Sequence, residues 1–333
     1  VISVTEDSGN TWAKISAFPG VPSNSYVSDI RASKFDENIV FASFDNRKRD
    51  DFKPYLFISK DKGKTWTSIS GNLPENGTVH SIEQDFRQPG LLFAGTEFGI
   101  FFSTNMGTEW TQLEAGIPDV AVRDIVLQER ESDLVLATFG RGFYILDDYS
   151  PLRELSADKD IINEDAHLFN IKDPKLFIQS GGKYGQGATL FHAPNPEFGA
   201  VFTYYLKEVP KTMKELRKEK EKELFEAKKP IPQPGFETLR EEKSEIPPYL
   251  IFTVKDSNGE VVRKIVEKPK KGINRSYWDL HYESFSPIEA KKDKFNPFAN
   301  TNSSMPVIPG LYSVSMAMVY QGNFTPLSED IDF

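Results

Sequence analysis

Cysteine is absent from the 333 residues. That excludes disulfides, thiolate nucleophiles and cysteine-ligated zinc, while leaving the compartment open. Histidine is scarce, with 4 copies at His80, His167, His192 and His281. None makes an HxH or HExxH spacing, so no strong metal motif is present and neither metal nor cofactor is expected. Surplus positive charge is lacking as well. Lys and Arg number 40 against 49 Asp and Glu, for a formal net charge of −9. A nucleic-acid partner is not expected, because that affinity rests on phosphate neutralisation. No apolar run approaches the length of a membrane span, and no GxSxG nucleophile elbow occurs. The chain opens on Val1, with no initiating Met and no signal peptide, and it reads as a processed or truncated piece of something longer.

Aromatic residues are plentiful, at 13% of the chain with 26 Phe. They favour strands. Three segments repeat one pattern: VSDIRASKFDENIVFASFD from Val27, VHSIEQDFRQPGLLFAGTE from Val79 and VRDIVLQERESDLVLATFG from Val122. Each is a strand-like run, a polar turn and a second β-rich run. Third strands follow, as PYLFISK, GIFFSTN and GFYILDD, with short fourth strands such as WTSIS and WTQLE. The unit is four antiparallel strands in roughly 43 to 52 residues, the size of one β-propeller blade.

A polar octet ending in tryptophan sits between strands three and four. It reads TEDSGNTW at 5–12, SKDKGKTW at 59–66 and STNMGTEW at 103–110. Asp61 is suited to accept backbone N–H bonds in the turn, Gly63 to supply conformational freedom and Trp66 to bury its ring. Three of the 4 tryptophans hold this position, which marks a repeated structural task rather than chemistry. The octet resembles the Asp-box, or BNR repeat, of sialidases and sortilin-type propellers. Asp7, Gly9 and Trp12 match it, as do Asp61, Gly63 and Trp66; the third copy carries Asn105 with Gly107 and Trp110. The resemblance implies a fold marker lying away from the ligand face. In the fourth unit LDDYSPLREL replaces the box, and Ser150 followed by Pro151 predicts a capped helical turn.

Residues 1–16 read as strand three, Asp-box and strand four of a blade whose first two strands are not present. The last blade is expected to take its outer strand from AHLFNI, at 166–171. About three and a half blades do not close a ring, so missing N-terminal blades or a companion chain are expected partners.

After this the repeats stop. The expected organisation is propeller blades over 1–155, a linker over 156–198 and a second domain over 199–333 with a charged helical insertion at 211–229. GAVFTYYLKE reads as a strand. Met213, Leu216, Leu224 and Ala227 fall at helical spacing on a solvated helix. Pro230, Pro232, Pro234, Pro247 and Pro248 predict an irregular return. Ser257-Asn258-Gly259 predicts a hairpin turn and Pro309-Gly310 a type II turn entering an edge strand. Trp278 is the expected core aromatic of a sandwich. A Gly-rich loop with Gly181, Gly182, Gly185 and Gly187 reads as linker.

The series resembles the Ig-like domain related to the flagellar hook-capping protein. Asp256, Gly259, Val262 and Arg263 fit its pattern, as do Gly272, Asn274, Arg275, Trp278, Asp279, Leu280, Pro309, Gly310, Tyr312 and Val314. Joined to the phrase ATFGRGFYILDDYSPLREL, the whole is similar to large Bacteroidota proteins that append such a domain to a sortilin-like propeller. The resemblance implies an all-β chain: a partial propeller followed by an Ig-like sandwich, in a secreted, periplasmic or cell-surface protein.

Propeller ligands usually meet the face formed by the strand two-to-three loops and the links between blades. On it the chain offers the NRKRDDF loop with Arg49, then Glu97, Phe98, Arg123, Phe139 and Arg141. This mix suits a glycan, peptide or protein ligand. No residue is assigned a catalytic role, and the adjacent Asp147 and Asp148 are expected on opposite strand faces. The favoured reading is a non-catalytic binding or scaffold portion. A sialidase-like glycoside hydrolase with its catalytic groups mostly in other blades is one alternative, and a structural subunit of a bacterial envelope assembly is another.

Overall fold

The computed structural model describes residues 1–114, 116–177, 193, 195–284 and 304–333. The Gly-rich loop and His192 lie outside the described residues. Two compact units are formed, Val1–Lys159 and Asp160–Phe333. Among the described residues no helix is long and apolar enough to cross a membrane.

The first unit is a partial β-propeller. Strands β1 (Ile2–Val4) and β2 (Ala13–Ile15) form a two-stranded partial blade. The first full blade runs β3 (Tyr26–Ala32), β4 (Val40–Asn46), β5 (Asp51–Ser59) and β6 (Thr67–Ser68), each strand antiparallel to the next. The second runs β7 (Val79–Gln84), β8 (Leu92–Thr96), β9 (Gly99–Ser103) and β10 (Thr111–Gln112) in the same order. A three-stranded blade, β11 (Val122–Gln128), β12 (Asp133–Thr138) and β13 (Phe143–Leu146), follows.

The first full blade is apolar on both faces and is packed from both sides. Phe41, Leu56 and Ile58 of the first full blade cluster with Ile82, Phe101 and Trp110 of the next. Its other face, with Phe44, Phe57 and Trp66, packs on Ile2, Val4 and Ile15 of the partial blade. The three octets lie in the turns after β1, β5 and β9. Asp61 accepts from Thr65 N at 2.8 Å and Thr65 Oγ1 at 2.7 Å, which holds its pKa down to about 2. Asn105 does the same job through Glu109 N at 2.9 Å. Lys62 and Gly63 are both left-handed, at φ 58° and 84°, so the turn needs two successive residues in that region. The tryptophan then reaches back: Trp66 Nε1 donates to Gly63 O at 2.9 Å, and Trp110 Nε1 to Ile69 O of the preceding blade at 2.8 Å.

The last blade replaces its Asp-box with a helix, α1 (Pro151–Ala157). Ser150 precedes it, but its side chain makes no capping bond. Asp147 and Asp148 lie past the end of β13, and Asp148 is left-handed at φ 43°, so strand alternation does not place them. The helix is fastened through Asp85 of the preceding blade. This carboxylate, with no exposed side-chain surface, accepts from Tyr149 Oη at 2.6 Å and from Arg153 Nε and Nη2 at 3.0 and 2.9 Å. Burial works to raise its pKa, but these bonds outweigh it and the group stays ionised.

In the second unit, β14 (Ala166–Leu168), β15 (Ala200–Leu206) and β18 (Gly272–Trp278) form one sheet. This corrects the expectation for 166–171. The segment pairs with β15 and is not the outer strand of the last blade, because Leu168 and Phe169 bury their side chains beside that strand. The facing sheet has β16 (Tyr249–Asp256), β17 (Val261–Glu267), β19 (Tyr312–Tyr320), β20 (Asn323–Pro326) and β21 (Ile331–Asp332). The two sheets enclose Phe202, Phe252, Val314 and Met316, with Trp278 buried edge-on against Tyr312 and Phe333. This is an Ig-like β-sandwich. β19 pairs with β16 on one side and with β20 and β21 on the other, so it is a central strand, not an edge. Gly310 is not among the positive-φ residues, which removes the type II reading of Pro309-Gly310.

The insertion holds two helices. α2 (Met213–Glu226) begins with a Thr212–Glu215 capping box and buries none of its residues. α3 (Phe236–Ser244) occupies the stretch read as an irregular return. The prolines fall at its borders, and the ETLREEK run between them is made of good helix formers. Arg217 ties the pair together through Glu242 Oε2 at 2.9 Å.

The Asp85 network predicts graded losses in urea unfolding. Asp85→Ala strands a mostly buried Arg153 and is expected to cost about 3–5 kcal/mol. Tyr149→Phe removes the hydroxyl's two hydrogen bonds, to Asp85 and from Arg153, but leaves the Asp85–Arg153 pair in place, and is expected to cost about 1–3 kcal/mol. Equal losses for the two would contradict this account.

Candidate functional site: a rim built from repeated β-bulges

The innermost strands β3, β7 and β11 are each bulged at the same place. The register shifts between Val27 and Asp29, between Val79 and Ser81, and between Val122 and Asp124. The extra residues are Ser28, His80 and Arg123. A bulge re-aims the side chain it carries. Around it the sequence hardly changes, as VSDI, VHSI and VRDI, while the bulged residue differs in each blade. Opposite, at the end of strand two, stand Asp45, Glu97 and Phe139. All lie at the end of the strands remote from the Asp-box turns.

These positions form one connected cluster across three blades. His80 Nε2 lies 2.8 Å from Glu97 Oε2, and Arg47 Nη1 donates to the same oxygen at 2.9 Å. Arg47 Nε also donates to both oxygens of Asp45, at 3.1 and 3.0 Å. Arg123 Nη1 is 3.1 Å from His80 Nδ1, and its guanidinium carbon lies 5.2 Å from the centre of the Phe139 ring. The carboxylate fixes a proton on Nε2, which leaves Nδ1 as an acceptor facing the guanidinium.

Burial pushes the His80 pKa down, and the Arg123 and Arg47 charges add to this; Glu97 opposes it without prevailing. Burial also depresses the Arg123 guanidinium, helped by Arg47. Glu97 itself is held below the usual range: burial works against it, but the His80 hydrogen bond and the two arginines outweigh burial. Among the described residues Arg123 has one carboxylate within 4.0 Å, Glu97 at 3.9 Å, a poor distance for a hydrogen bond. Phe139, which packs on Arg123, is 70% exposed, and Phe98, next to Glu97, is exposed as well.

Of the residues chosen from sequence, Glu97, Arg123 and Phe139 come together. Phe98 sits beside them in the β8–β9 turn. Arg49 does not join, since it donates to Ser23 O at 3.0 Å. Arg141 is exposed in the β12–β13 turn, outside the contacts of the cluster. Sequence reasoning missed Asp45 and His80, and within the NRKRDDF loop it singled out Arg49 where Arg47 makes the contacts. The changing residue inside the kept V-x-D/S-I frame was the available signal for His80. A second network, farther along the inner strands, joins Arg31 to Asp29 at 3.2 Å, Glu83 at 3.4 Å and Asp124 at 3.4 Å. Burial raises the pKa of Glu83 against these charges. No group of three metal-ligating side chains is found among the described residues.

No family model matches the chain, and no curated protein matches it. Several solved structures align with parts of the chain, all distantly. An ancestral GH74 enzyme aligns with 98% of this chain and 37% of its own at 13% identity and a TM-score of 0.34. YCF48 bound to D1 peptide aligns over 45% of this chain and 49% of its own at 18% identity and a TM-score of 0.31. An extracellular domain of a putative one-component system from B. thetaiotaomicron covers 92% of this chain and 30% of its own, at 11% identity and a TM-score of 0.28. The chain thus spans less than half the length of each of these proteins, and such distant likenesses carry no argument about what it binds.

His80 is the natural probe of the rim. Its imidazole should titrate by NMR below the ordinary value of about 6.5. Arg123→Ala should move that midpoint up and Glu97→Gln should move it down. The sign for stability follows. The folded pKa lies below the unfolded one, so the unfolded chain takes the proton first. Stability from this group is full above about pH 6.5 and falls as pH drops toward the folded pKa. An unshifted midpoint would refute the burial of His80 against two arginines.

Proposed function

We propose that the bulge rim is a non-catalytic recognition surface for an anionic group, a carboxylate borne by a peptide or glycan. The observation that carries this reading is Arg123. Its guanidinium is anchored against His80 and Phe139, yet among the described residues its nearest carboxylate stands 3.9 Å away. A guanidinium held in place but poorly satisfied is prepared for bidentate contact with a carboxylate. The exposed Phe139 and Phe98 beside it offer apolar surface to the rest of the ligand. The rim varies at its bulged positions within a constant frame, as suits a surface whose task is selection.

This rim belongs, in our reading, to a sortilin-like Asp-box propeller with a hook-capping-type Ig-like domain. We take the protein to be secreted, periplasmic or surface-attached, with further blades or a companion chain completing the propeller. The reading rests on the Asp-box octets and the Ig-like sequence pattern. Glycoside hydrolysis finds less support in this chain. The rim carboxylate Glu97 is held ionised, the wrong state for a general acid. Glu83 is raised by burial but is ion-paired with Arg31.

The test is calorimetric titration with a short peptide bearing a free C-terminal carboxylate, its C-terminal amide, and a glucuronate-terminated oligosaccharide. At least one carboxylate probe should bind. Arg123→Ala should weaken it roughly ten- to a hundredfold, as expected for about 1.5–3 kcal/mol in a charged hydrogen bond. Amide binding as tight as acid, or an indifferent Arg123→Ala variant, would remove the proposal.

A further inference from the structure

Arg123 is held in place by a ring without charge. Its Nη1 stands 3.1 Å from His80 Nδ1 and 3.2 Å from Nε2, so one edge of the guanidinium rests on the imidazole at nearly equal distance from both nitrogens. Its guanidinium carbon lies 5.2 Å from the centre of the Phe139 ring. Both contacts suit a cation against a neutral π system. The partners differ in freedom. His80 is 5% exposed and tied to Glu97 Oε2 at 2.8 Å, whereas 31% of the Arg123 side chain is in water.

Charge faces the His80 ring from several elements. Glu97 stands just past β8, and β11 brings Arg123. Arg47, just after β4, shares the Glu97 oxygen and also pairs with Asp45. Asp29 of β3 is engaged by Arg31 and the Ile82 N–H, and Asp51 of β5 by Asn46 and Tyr55. The ring thus meets one carboxylate and two guanidinium groups. Burial and the two arginines oppose a proton on it, and Glu97 favours one. With that proton both ring nitrogens donate. Nε2 keeps Glu97, and Nδ1–H faces the Arg123 N–H, donor against donor and cation against cation. His80 is fixed, so Arg123 is the group that moves. A positive floor also attracts an anion, which works the other way. The guanidinium touches the ring, while a ligand carboxylate lies beyond the guanidinium, so the repulsion acts over the shorter distance and prevails.

We infer that His80 is the positioning residue of the rim: its neutral ring holds Arg123 ready for an anionic ligand, and a proton on that ring releases it. This role rests on the reading of the rim as a carboxylate-binding surface and sets the condition under which it binds. The ligand-ready fraction is then the fraction of chains with a neutral His80, and binding below the His80 midpoint expels a proton.

The test has two arms, both on the full chain. The first needs no ligand. In nitrogen-15 labelled protein, the Arg123 Nε–H signal, identified by its loss in Arg123→Ala, should shift and broaden with the same midpoint as the His80 ring. In the second, calorimetry with the carboxylate peptide and the glucuronate-terminated oligosaccharide runs from about pH 7.5 to about pH 5, above the ordinary range of an α-carboxyl. Affinity should be level above the His80 midpoint and fall below it by up to about tenfold per pH unit, with a proton released on binding. His80→Gln cannot take a charge and should bind with no such fall; His80→Asn replaces it if that variant melts early. An Arg123 signal indifferent to the His80 midpoint, or a ring that stays neutral down to about pH 5, overturns the inference. So does wild-type binding that is level or strengthens across the midpoint, or a fall that survives in His80→Gln. If no carboxylate probe binds at any pH, the reading of the rim fails, and the ligand-free arm still decides whether His80 positions Arg123.

Discussion

The packing of blade on blade is the constraint from which the rest follows. A four-stranded blade is one sheet with two apolar faces, and it cannot bury both alone. Phe41 and Ile58 are buried only because the next blade brings Ile82, Phe101 and Trp110 against them. The octet turn serves that contact. Its aspartate and glycine shape a turn that swings the tryptophan toward the preceding blade. Where the box is lost, the demand remains, and α1 with the Asp85–Tyr149–Arg153 network meets it by other chemistry.

The same packing makes the rim possible. Each innermost strand is held in register by strand two of its own blade, so a single extra residue cannot slide away along the strand. It is extruded instead, in each blade at the same level. Three bulges then place a serine, a histidine and an arginine side by side, and strand two supplies an acid or a ring opposite each. His80 is buried while Arg123 and Phe139 stay accessible, so the rim has a fixed floor and an open edge. Its charges are mutually adjusted: Glu97 stays ionised because two arginines and a histidine surround it, and His80 stays neutral because burial and those arginines outweigh Glu97.

Much of the architecture was legible in the sequence, because repetition is a strong signal. Four-strand units, octet turns, buried tryptophans and the Trp278 core could be read from spacing and residue type. The failures have physical causes. The 166–171 segment looks like any short strand, and strand identity does not say which partner it joins; only burial of Leu168 and Phe169 beside β15 decides that. α3 was hidden by flanking prolines. The role of β19 depended on two late strands, β20 and β21, whose short polar sequences carry little strand signal.

The site shows the same division. Sequence by itself determined the all-β class, the blade unit and the place of the octet turns, since each depends on local pattern and turn chemistry, and it pointed to one candidate face. It placed Glu97, Arg123 and Phe139 on that face. Only tertiary structure decided that they meet, that Asp45, Arg47 and His80 complete the group, and that Arg49 turns away to Ser23. The reason is that a bulge is a property of pairing. One extra residue leaves no mark on a single strand, and appears only when that strand is laid against its neighbour.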